Sequence, residues 1–67
     1  MEHAINKHKA LAECRIFAGV AASAGNEAAE RQILVAAFLI ADTDAPEEIR
    51  FWYLGAGRIM EQALGIN

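Results

Sequence analysis

The chain has 67 residues, 55% of them apolar, and a formal net charge of −3. That length makes one domain, 1–67, near the lower limit at which a single core suffices. Six Lys and Arg against nine Asp and Glu argue against nucleic acid as a partner, since such binders draw their affinity from a basic face.

The single cysteine, Cys14, rules out an intrachain disulfide. Residues 16–25 have the composition of a short signal-peptide core, but Glu13, Arg15 and Glu27 bracket them closely, so the cytoplasm is the expected compartment.

Residues 2–24 read as a first helix, rich in Ala and free of Pro. Its second half is uncharged, and small residues at 18, 19, 21, 22 and 24 suit close packing against another helix. Gly25-Asn26 punctuates it: Gly favours the left-handed position after a helix end, and Asn is a strong N-cap. Such a short link predicts an antiparallel hairpin with the next helix.

The second helix is expected over 27–41, with Glu27 and Glu30 at the positive end of its dipole. It contains nine consecutive apolar residues, Ile33 to Ala41. At about 100° per residue these point in all directions, Ile33 and Ile40 to one side, Leu34 and Phe38 nearly opposite. A helix apolar all round must be covered all round, yet nine residues fall well short of the ~20 that cross a bilayer. The expectation is therefore no membrane span but a central helix in a homodimer or larger homo-oligomer. Leu34, Phe38, Ile33 and Ile40 are its candidate self-association residues, with Phe38 expected in the core of the assembly.

Asp42 to Glu48 reads as the second turn. Asp44 is the expected N-cap, Pro46 lies in the first turn, and Glu47 completes a capping box. The third helix, 45–64, is amphipathic: Ile49, Trp52, Ala56, Ile59, Met60 and Ala63 form one stripe with Tyr53 beside it, and Gly65 ends the helix. Gly55 and Gly57 suggest a close backbone approach or a kink. On the polar side, Phe51 and Leu54 sit among Arg50 and Arg58, an apolar-plus-arginine mixture typical of contact surfaces. These four are the candidate partner- or ligand-binding residues.

No catalytic constellation emerges. His3, His8 and Cys14 are spaced by five and six residues, which does not stack them on one helical face as a metal site requires. Cys14 reads as a buried, inert thiol. The acidic pairs Asp42/Asp44 and Glu47/Glu48 fall in a cap and a first turn, and no cofactor is expected. Recognition of DNA by the third helix is disfavoured because Glu47 and Glu48 would face phosphates.

The sequence thus predicts an all-α three-helix chain, a hairpin plus a third amphipathic helix, assembled as a homo-oligomeric bundle. Its expected function is non-enzymatic protein–protein interaction, as adaptor, regulator or inhibitor. The alternatives are sequestration of a planar or anionic small molecule such as a nucleotide between subunits, and a structural assembly subunit.

Overall fold

A computed structural model describes residues 6–65, which form helices α1 (Lys7–Ser23), α2 (Glu27–Ala41) and α3 (Pro46–Ala63). The sequence places the first helix start at residue 2, but Asn6 is extended (φ −73°, ψ 131°) and its side chain accepts a hydrogen bond from the Lys9 N–H. It therefore caps α1 as Asn26 caps α2, where Asn26 Oδ1 accepts from the Ala29 N–H at 2.9 Å. Residues 2–5 lie outside the described residues.

The α1–α2 link works as its two residues predict. Gly25 has φ 80°, its N–H donates to the Ala22 carbonyl, and the Asn26 N–H donates to the Ala21 carbonyl. This double bond pattern closes the helix end and turns the chain back on itself. The hairpin is antiparallel: Lys7 Nζ, at the start of α1, reaches the Ala41 carbonyl and pairs with Asp44 at 3.0 Å, both at the far end of α2.

That ion pair also corrects the second turn. Asp44 does not cap α3, whose N-cap is Ala45 without a side-chain bond. Thr43 organises the turn instead: its hydroxyl accepts from the Ala45 N–H at 3.1 Å and donates to Glu48 Oε1 at 2.8 Å. Gly65, with φ 81°, ends α3 as expected.

The three helices all contact one another around a core made mostly of small residues. Ala10, Cys14, Ala18 and Ala21 come from α1, Ala29, Ile33, Ala36 and Ile40 from α2, and Ile49 and Ala56 from α3. The spacings of three and four define one stripe per helix. Trp52, Tyr53, Ile59, Met60 and Ala63 pack against this core, as the amphipathic reading of α3 requires. Tyr53 stacks obliquely on Phe17 with ring centroids 5.9 Å apart, and its hydroxyl donates to the Glu13 carboxylate. These contacts tie α3 to the middle of α1.

Gly55 and Gly57 do not mark a close backbone approach. A Cβ at Gly55 would meet nothing within 4 Å, and one at Gly57 would meet the Phe17 ring at 3.7 Å, an ordinary contact.

Candidate interaction surface

The core stripe of α2 divides the four residues assigned to self-association. Ile33 and Ile40 are fully buried inside this chain's own bundle and have no surface to offer a second copy. Leu34 and Phe38, on the opposite side, are exposed, Phe38 by 75%. Phe38 thus lies outside the single-chain core. Val35 joins them at 57% exposure. At about 200° from Ile33, Val35 belongs with the outer face.

The four residues picked on α3 also separate. Phe51, 65% exposed, leans edge-on against Trp52, with centroids 4.9 Å apart and planes at 81°. This aromatic pair forms one wall of a groove of about 370 Å³ between α2 and α3, faced by Gln32 and Val35 and floored by Gly55 and Ala56. Leu54 and Arg58 lie around the helix, at a smaller hollow against α1 that includes Phe17 and Glu61. Arg50 is exposed, but it borders neither. The geometry therefore sets Phe51 on the α2 side and Leu54 with Arg58 on the α1 side, rather than making one site of them.

Charge is distributed unevenly along this surface. The α2–α3 groove is almost wholly apolar. At the corner where α2 ends and α3 begins, Asp42, Glu47 and Glu48 surround a hollow beside Leu39 and Phe51. Arg31 is exposed near the other end of α2. A further hollow, lined by Ile16, Val20 and Leu64, lies between α1 and the end of α3, and nothing in the spacing of those residues announces it.

Cys14 and Tyr53 are both shifted toward their neutral forms. Burial, and secondarily the charge of Glu13, push the Cys14 thiol above its ordinary value, away from the thiolate a nucleophile or metal ligand needs. The hydrogen bond to Glu13 raises Tyr53 in the same direction, because the phenol must keep its proton to donate it. No group of three His, Cys, Asp or Glu side chains poised for a metal occurs among the described residues; His3 lies outside them and His8 is exposed. Among the same residues, no helix is long and apolar enough to cross a membrane.

No protein-family model, curated protein or solved structure matches this chain.

Proposed function

We propose that this protein acts by protein–protein interaction as a homo-oligomer, an adaptor, regulator or inhibitor without catalytic chemistry of its own. The observation that carries the reading is the outer face of α2, where Leu34, Val35 and Phe38 stand exposed on the side opposite the core. Withdrawing a side chain of that size from water is worth about 1.5–3 kcal/mol. One such residue on a surface needs no explanation, but adjacent ones on a single helix face form a contact patch. The groove beside Phe51 and Trp52 is the place for a second protein, whose apolar side chain it would take. The cytoplasm suits a chain with an unpaired thiol.

Light scattering tests the reading directly. The expected mass is at least twice the 7.3 kDa of the chain at micromolar concentration. A helical monomer throughout that range would overturn the oligomer, and the Phe38→Glu variant should be such a monomer.

A second reading is favoured by the groove alone. At about 370 Å³ it falls in the size range of small-molecule sites, and an aromatic edge-to-face pair walls it. Its apolar lining suits a planar apolar compound better than a nucleotide, since Arg50 and Arg58 lie away from it. An ultraviolet-absorbing compound released on denaturing the purified protein would establish this reading.

A further inference from the structure

Building on self-association through α2, we infer its geometry: two copies pair their α2 helices antiparallel about a two-fold axis that passes between Val35 and Phe38. Arg31 of each copy then lies over the acidic corner around Asp42 of the other.

Arg31, Val35, Phe38 and Asp42 are separated by four, three and four residues. At about 100° per residue they fall within roughly 30° of one direction, forming a straight seam on the side of α2 opposite Ile33 and Ile40. All four are exposed, and Leu34 flanks them. The seam is apolar in the middle and charged at its two ends, with opposite signs.

Those signs select the orientation. In a parallel pair, Arg31 would face Arg31 and Asp42 would face Asp42. In the antiparallel pair the sequence numbers of facing residues have a constant sum, so Val35 meets Phe38 and Arg31 meets Asp42, each contact occurring twice. The α2 terminus adds to the preference. Asp42 sits at the negative end of the helix dipole, and no basic residue occupies the last turn of α2. Glu47 and Glu48 share the same corner. A guanidinium from a second copy is the complement that corner calls for.

The experiment exchanges the charges. Arg31→Asp and Asp42→Arg are prepared separately, and weight-average masses are measured by sedimentation equilibrium over a concentration series. Each variant alone should dissociate more readily than the natural chain, Arg31→Asp by about tenfold, because like charges then face each other at both ends of the seam. An equimolar mixture should recover association, since a mixed pair again faces opposite charges at both ends. Circular dichroism of both variants keeps a folding defect separate. If the natural chain associates but the mixture is no stronger than the variants alone, this register is wrong and another surface, such as the Ile16–Leu64 hollow or a foreign helix on α2, covers the seam. If the natural chain itself stays monomeric, the self-association reading fails first.

Discussion

The Tyr53 hydroxyl on α3 donates to the Glu13 carboxylate on α1, one turn from where the Tyr53 ring leans on Phe17. A polar and an aromatic contact thereby fix the same two helices at one height. Replacing Tyr53 by Phe keeps the ring and removes the hydrogen bond, and should cost about 0.5–1.5 kcal/mol in a urea titration.

The same contact gives the fold an alkaline limit. Tyr53 and Cys14 both titrate above their ordinary values of 10.0 and 9.0. Their contributions are complete below those values and are lost as pH rises through the higher folded ones. Melting temperature should fall progressively above about pH 9, and Tyr53→Phe together with Cys14→Ala should flatten the decline. Cys14 should also react slowly with a disulfide reagent near neutral pH and rapidly in denaturant.

Phe38 and Ile40 make a matched pair for separating fold from assembly. Ile40→Ala removes a fully buried side chain and should cost about 2–5 kcal/mol at any protein concentration. Phe38→Ala should leave the helicity of the single chain intact. It should instead lower the mass in solution and abolish any rise of melting temperature with protein concentration.

Gly55 offers a test of the groove. An alanine there meets no atom within 4 Å of its Cβ and should stabilise α3 by about 1 kcal/mol. It would also raise the floor between Val35 and Phe51. A gain in melting temperature combined with weaker partner or ligand capture would locate binding in that groove; unchanged capture would place it elsewhere.

The helices were legible because local rules agree with the packing. Gly25, Asn26 and Gly65 behave as their chemistry predicts, and the stripe on α3 faces the core. The errors have a common origin in competition between residues that can do the same job. Asp44 and Thr43 are both capable caps; Lys7 claims Asp44, leaving Thr43 to hold the turn, and nothing near residue 44 reveals that a lysine far back in the chain is the rival. Ile33 and Ile40 read as self-association residues yet fill the single-chain core, because a run of nine apolar residues does not say which of them the chain's own helices reach. Only α1 and α3 cover α2, on one side, and small residues inside allow them to do it with little volume. Thr43→Ala should accordingly destabilise the protein more than Asp44→Ala, the latter costing no more than an exposed ion pair.

Among the described residues, six of the ten in the core are alanine, and Ala10, Ala21 and Ala56 are fully enclosed. At such a site a larger side chain overpacks, serine buries a hydroxyl, and glycine weakens the helix. Each position is nearly locked to one residue type. Descendants of this bundle would keep their alanines while the exterior drifts. Alanine is common enough that its retention leaves a faint trace, so ancestry here is better sought in the spacing of small residues than in shared large ones.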